Sequence, residues 1–444
     1  MATVGELRGP RVPPELLHII FEHADKPSLL SCMCTCRDWL ELARPYLFDK
    51  VVWRLRPEHF RWGMKEDPEG LEHPLGLECL LDYLQHHPDV CPFIHDLTLG
   101  LLELPFDVRW QHILDRPDPR YASFDTLSEI LNLLPSLHTF QVDRIPFRTL
   151  PLGQNTSADA PIPLRKLKIL SWMDSHNVDS SEQYGTELLP ACAPDTFYGF
   201  LGRFSEIDEV SLGTEMFLWP VLPAWAPAAP NAMVRSLVLA NTDPEIANGL
   251  SLLQDIAHLT LPAPSRKGTP MACRLLTQFG LSLRNITLSL SSPEHIYIVH
   301  GARFDYASIA APLAPAVAAL RALDTLEIRM TVHGKLFANA RLWERACFHQ
   351  PTYDFAVDLL RVLPRATQRV TFRLTFERKP AFPHRPVCGP LAEDWSTLDD
   401  ALAERVERGL RTIEFVEDRD GGLLSNKKRD ILKKRLPRTW ASGA

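Results

Sequence analysis

Apolar residues return along this chain in one short pattern, apolar-x-x-apolar-x-apolar, ten times. The copies begin at Ile94 (IHDLTL), Leu137 (LHTFQV), Leu167 (LKILSW), Ile207 (IDEVSL) and Val234 (VRSLVL). They continue at Ile256 (IAHLTL), Leu283 (LRNITL), Leu323 (LDTLEI), Thr367 (TQRVTF) and Leu410 (LRTIEF). In each copy the last two apolar positions alternate with other residues, as a strand with one buried face requires. The first lies three residues earlier, where the chain turns in from a helix. Helical periodicity precedes many copies, over residues 77–84, 124–134, 197–204 and 355–363. Helix, short turn and strand, repeated, is a unit that cannot cover its own apolar faces, and stacked neighbours cover them. Successive starts lie 43, 30, 40, 27, 22, 27, 40, 44 and 43 residues apart. The copy at Thr367 opens on a polar residue and has the weakest register.

The first fifty residues carry a different period. Residues 1–11 are polar and are expected to be disordered. Pro13 and Pro14 suit the first turn of a helix, where a missing N–H removes no intrahelical bond. Leu16, Leu17, Ile20, Phe21 and Ala24 then recur at helical spacing. Asp25-Lys26-Pro27 ends that helix, and Ser28 is placed to cap the next. Leu29, Cys32, Met33, Cys36, Leu40 and Ala43 form a second helical stripe with Trp39 beside it, closed by Arg44-Pro45. The resulting hairpin is rich in apolar surface and too small to stabilise itself, so another surface must cover it.

Composition narrows the class. At 444 residues and 45% hydrophobic content the chain exceeds one ordinary compact domain. A charged fraction of 23% is globular composition, and a net charge of -7 argues against general nucleic-acid binding. The N-terminus lacks an apolar region of signal-peptide length, and no apolar run reaches the roughly 20 residues that span a bilayer. Nine scattered cysteines are therefore expected to be reduced thiols in a cytoplasmic or nuclear protein, with no membrane partner.

Catalytic signatures are missing. The chain has no G-x-S-x-G elbow, no G-x-x-x-x-G-K-[ST] loop, no G-x-G-x-x-G and no H-E-x-x-H. Cys32, Cys34 and Cys36 do not converge on a metal from one helix, and Cys32 and Cys36 read as small buried hydrophobes. His73, His86 and His87 lack a second ligand pair, and the Glu417–Gly422 run reads as a turn. No catalytic, cofactor-binding or metal residue is assigned. Pro-rich stretches at 151–163, 220–230, 262–270 and 379–390 read as loops. Trp219 and Trp225, in or beside one of them, are candidate target anchors or fold back over the sheet edge. Seven basic residues between Asn426 and Arg438, with a narrow apolar edge of Ile431, Leu432 and Leu436, read as a solvated terminal helix or a nuclear localisation signal.

The stretch from Val12 to Phe48 resembles the F-box motif. Pro13, Glu15, Leu16, Leu17, Ile20, Phe21, Leu29, Leu30, Cys36, Arg37 and Trp39 stand at matching places, and Ala43–Phe48 resembles the exit common after F-boxes, particularly fungal ones. Val12 stands where the pattern has Leu, and Thr35 where it has Val. The resemblance implies a non-catalytic adaptor that buries its helices on a Skp-family linker, and through it joins a cullin scaffold in a ubiquitin ligase. It points to Pro13, Leu16, Leu17, Ile20, Phe21, Leu29, Leu30 and Trp39 as linker contacts or their support. The ten later copies resemble an irregular leucine-rich-repeat array.

The expectation is thus an α/β repeat protein: a disordered segment at 1–11, a helical F-box at 12–50, a strand–helix solenoid at 51–424 that recruits an unknown target protein, and a basic tail at 425–444. A linker-bound scaffold outside any cullin ligase is one alternative. A doubly wound α/β ligand-binding or enzyme domain with a helical arm is the other.

Overall fold

The computed structural model describes residues 12–55, 76–101, 124–147, 162–174, 191–192, 200–215, 217–218, 233–240, 250, 253–262, 268–290, 306–334, 346–378, 391–392, 394–417 and 426–442. Two compact units divide the chain, Met1–Pro190 with Gly202–Glu206, and Ala191–Leu201 with Ile207–Ala444.

The first unit opens with helices α1 (Pro14–His23), α2 (Lys26–Met33) and α3 (Arg37–Phe48). The continuous second stripe expected over Leu29–Ala43 is broken between Met33 and Arg37. Cys34 closes α2 and Cys36, in extended conformation, opens α3. The break turns Cys36 outward, so it is exposed and not a buried hydrophobe, while Cys32 stays half-buried. The cap of α2 is also three residues earlier than expected. Asp25 Oδ1 accepts the Ser28 backbone N–H at 2.9 Å, so Ser28 is the donor. Pro45 does not close α3, which runs on through it to Phe48.

Strands β1 (Lys50–Leu55), β2 (Asp96–Leu101), β3 (Thr139–Phe147) and β4 (Ile162–Asp174) follow, with α4 (Leu77–His86) before β2 and α5 (Phe124–Asn132) before β3. The four strands are parallel and adjacent in chain order. Register aligns Leu97 with Phe140 and Leu167, and Leu99 with Val142 and Ile169. The third copy therefore starts at Leu164, three residues before the expected Leu167, with Leu164, Leu167 and Ile169 all buried. Val51 aligns with Leu97 and Trp53 with Leu99. Phe48, at the last turn of α3, consequently occupies the first position of a further copy, Phe48-x-x-Val51-x-Trp53. The helical segment is itself the helix that leads into the sheet.

The second unit holds β5 (Phe204–Glu215) from Ile207 onward and continues through β6 (Met233–Leu239), β7 (His258–Leu261), α6 (Thr269–Phe279), β8 (Asn285–Leu290), α7 (Tyr306–Ala318) and β9 (Thr325–Gly334). Then come β10 (Ala346–His349), α8 (Gln350–Val362), β11 (Arg369–Arg378), β12 (Leu391–Ala392), α9 (Ser396–Glu407), β13 (Thr412–Glu417), α10 (Asn426–Arg435) and α11 (Pro437–Ala441). From β6 the parallel neighbours are β7, β8, β9, β11 and β13, while β10 pairs antiparallel with the end of β9, and β12 pairs antiparallel with β10. One apolar column passes through Leu237, Leu259, Ile286, Leu326, Val370 and Ile413. All six are buried.

The leading turns stack as regularly as the strands. The carbonyl of Arg284 accepts the N–H groups of Asp324 and Thr325, that of Asp324 those of Gln368 and Arg369, and that of Gln368 those of Arg411 and Thr412. Gly409, at φ +109°, ends α9 and lets Leu410 drop into the core. Along β8, and along β6 from Ser236 onward, a buried residue alternates with a more exposed one, so these stretches bury one face. A doubly wound sheet would bury both faces and reverse its strand order. Burial here is mixed, since β9 and β11 also bury Thr331 and Thr371 on the second face. From β6 to β13, however, the parallel strands follow chain order without that reversal.

Candidate functional site

The N-terminal helices form a small core of their own. Leu17, Phe21, Leu29, Ala43 and Leu47 are buried together, with Met33, Trp39, Leu42 and Tyr46 packed around them. Phe21 meets the Trp39 ring edge-on at 5.8 Å and the Tyr46 ring at 6.3 Å, arrangements that aromatic quadrupoles favour. The turn between the helices is fixed by Asp25, whose carboxyl is held below the usual range by hydrogen bonds from Ser28. Lys26 Nζ donates to the Lys50 carbonyl at 2.6 Å, tying α2 to β1. Arg44 pairs with Asp89 at 2.8 Å and anchors α3 to the turn after α4. Thr35 is exposed, and its hydroxyl donates back to the Ser31 carbonyl at 3.2 Å.

Helical geometry sends the remaining apolar residues of α1 the other way. Leu16, Ile19 and Ile20, at spacings of three and four, are 50%, 54% and 52% exposed, and Leu30 on α2 is 52% exposed. Val12 and Pro13 continue the apolar surface at the start of α1, both exposed. Single exposed aliphatics are ordinary, but here several share one helix face.

Residues 10–54 match the F-box-like family model. No curated protein matches the chain. The N-terminal helices match an F-box, and F-boxes generally bind Skp-type linker proteins. The match ends inside β1, consistent with a helical segment that runs into the sheet without a linker.

The eight residues named from sequence separate into two sets on these F-box-like helices. Pro13, Leu16, Ile20 and Leu30 lie on the exposed surface. Leu17, Phe21 and Leu29 lie in the core, and Trp39 is half-buried against Phe21. The second set supports the surface from behind. Ile19 was missed in the sequence, although its place three residues after Leu16 on the same helix face was the available signal. Trp219 and Trp225 lie outside the described residues, as do residues 1–11.

The basic segment is docked. Leu432 and Leu436 are buried, so the narrow apolar edge of α10 faces protein. Asp399 on α9, itself buried, accepts the backbone N–H groups of Arg438 and Thr439 at 2.9 and 2.8 Å and the Thr439 hydroxyl at 2.7 Å. Those bonds satisfy the orphan donors that open α11. Arg435 lies over the Trp395 ring at 5.6 Å. Arg429, Lys433 and Lys434 remain exposed on the outer face. Among the described residues, no group of three or more His, Cys, Asp and Glu side chains is placed to hold a metal ion.

Proposed function

We propose that this chain is the substrate-receptor subunit of a Skp–cullin–F-box ubiquitin ligase. The F-box-like segment would dock on the linker, and the strand–helix region, read as an irregular leucine-rich-repeat-like solenoid over residues 51–424, would hold the target. The observation that carries the reading is the apolar face of Leu16, Ile19, Ile20 and Leu30, which the F-box core displays rather than buries. Covering those side chains stabilises a complex by roughly 25 cal/mol per Å² of apolar surface removed from water.

The mechanism is proximity. A target held on the strand region has its lysines at a high effective concentration near a ubiquitin-charged enzyme, and no residue of this chain acts on a bond. The continuity of α3 with β1 supports the reading, because it leaves no flexible linker between the docking helices and the first strand. The F-box proper is assigned to 12–50, and the basic segment to 425–444.

Reconstitution with a Skp-family linker and a cullin tests this. Formation of a three-protein complex is the expected result. Linker binding without cullin would make the chain a scaffold outside the ligase, and no linker binding would remove the receptor reading altogether.

A further inference from the structure

Three parallel strands of the second unit set out a row of side chains on the sheet face opposite the apolar columns. Ser289 of β8 aligns with Arg329 of β9, and Arg329 with Arg373 of β11. Two guanidinium groups directly across from one another repel, and such pairs are held only where something offsets the charge. Glu327, one row earlier on β9, supplies that. Its Oε1 accepts Arg329 Nε at 2.7 Å and Arg373 Nε at 3.0 Å, and its Oε2 accepts Arg373 Nη2 at 3.5 Å. The carboxylate is half-buried between them. Burial would raise its pKa, and the bonds from Arg373 and Arg329 outweigh that and hold it lowered.

The geometry leaves Arg329 partly used. Its Nε is committed to Glu327, its two terminal amines have no partner among the described residues, and its side chain is 45% exposed. A guanidinium fixed by Nε presents those two amines as a rigid fork, the arrangement that binds a planar carboxylate through two parallel hydrogen bonds. Exposed Arg369, two rows earlier on β11, adds positive charge on the same face. Thr287, in the row of Glu327, adds a neutral hydroxyl to the same face.

We infer that this face of β8, β9 and β11 binds an acidic peptide segment, with Arg329 receiving an Asp or Glu carboxylate and Glu327 acting as the positioning residue. A carboxylate fits better than a phosphate dianion, because Glu327 and Glu414 both stand in the next row and repel a second negative charge. The inference deepens the receptor reading and rests on it, since it names the chemistry of the recruited target.

The test uses the full chain and fluorescent peptide pools of equal length. One pool alternates Glu with small residues, a second carries Gln for every Glu, and a third carries phosphoserine. The Glu pool is expected to bind, the Gln pool to fail, and Arg329→Gln to weaken Glu-pool binding by about ten- to a hundredfold. Arg329→Lys, which keeps the charge and drops the fork, is expected to lose about tenfold. Equal binding of the Gln pool, tighter binding of the phosphoserine pool, no binding of the Glu pool, or wild-type affinity in Arg329→Lys would each overturn the assignment. Linker binding by the same wild-type preparation is measured alongside. Failure with the peptides while the linker still binds rejects only this inference, whereas loss of linker binding rejects the receptor reading beneath it.

Discussion

Leu16 and Leu17 are neighbours in the chain and opposites in space: Leu17 is 5% exposed in the core of the F-box-like helices, and Leu16 is 50% exposed on their surface. The same division separates Phe21 from Ile20. A helix turns about 100° per residue, so two consecutive leucines at this place serve two different surfaces. Folding uses one and leaves the other.

That division gives opposite outcomes for substitutions one residue apart. Leu16→Asp and Ile20→Asp are expected to leave thermal stability within about 0.5 kcal/mol of wild type, because neither side chain is buried. Phe21→Ala removes a ring packed against Trp39 and Tyr46 and is expected to cost about 3–5 kcal/mol within the first unit. Thermal melts monitored by Trp39 fluorescence in a background lacking other tryptophans of that unit would read the difference.

Thr367 occupies a place that Ile94, Leu137, Leu283 and Leu323 fill with hydrocarbon in other copies. It is fully buried and its Oγ1 has no hydrogen-bond partner among the described residues. Burying an unpaired hydroxyl costs about 1–3 kcal/mol, so Thr367→Val is expected to stabilise the second unit by about 1 kcal/mol. A raised urea midpoint at unchanged slope is the sign of it.

The basic segment separates into a packing face and a charged face. Asp399→Ala removes the acceptor for two backbone N–H groups and the Thr439 hydroxyl. It is expected to lower stability by about 2 kcal/mol and to speed hydrogen exchange in α11. Replacing exposed Arg429, Lys433 and Lys434 with Gln leaves Leu432 and Leu436 in place and is expected to leave stability unchanged. If the segment is a nuclear localisation signal, the triple variant of a tagged protein shifts to the cytoplasm. An unaltered distribution removes that proposal and leaves a terminal cap.

Glu327 sets a pH dependence with a defined sign. Its folded pKa lies below the ordinary glutamate value of 4.5. Its contribution to stability is therefore fully present above that value and is lost as the pH falls through the folded one. Glu327→Gln is expected to flatten the acid limb of the urea midpoint below about pH 4.5 relative to wild type. An identical acid limb in both proteins would contradict the role given to its two arginine bonds.

Much of this fold was legible because its signal is periodic. The apolar positions of nearly every copy land in the buried columns, and the helix before β2, β3 and β11 follows the period seen in the sequence. The copy at Leu167 misled because LKILSW satisfies the pattern as well as Leu164-x-x-Leu167-x-Ile169 does, and only pairing with β3 decides between them. The broken stripe at Cys34–Cys36 was illegible for a related reason. Residues on both sides keep helical spacing by chance, while the break depends on the extended backbone of Cys36. Pro45 reads as a terminator in isolation, yet α3 continues through it into Leu47 and Phe48. The Arg329–Glu327–Arg373 cluster joins residues 46 apart and had no local signal.

The most direct measurement is size exclusion of the full chain co-expressed with a Skp-family linker, beside the Leu16→Asp/Ile20→Asp double variant. The expected result is a stable one-to-one complex with the wild type and two separate peaks with the double variant, at equal stability of both proteins. A wild-type chain that elutes alone, or a double variant that holds the linker as tightly as wild type, would contradict the assignment of this helical face as the docking surface.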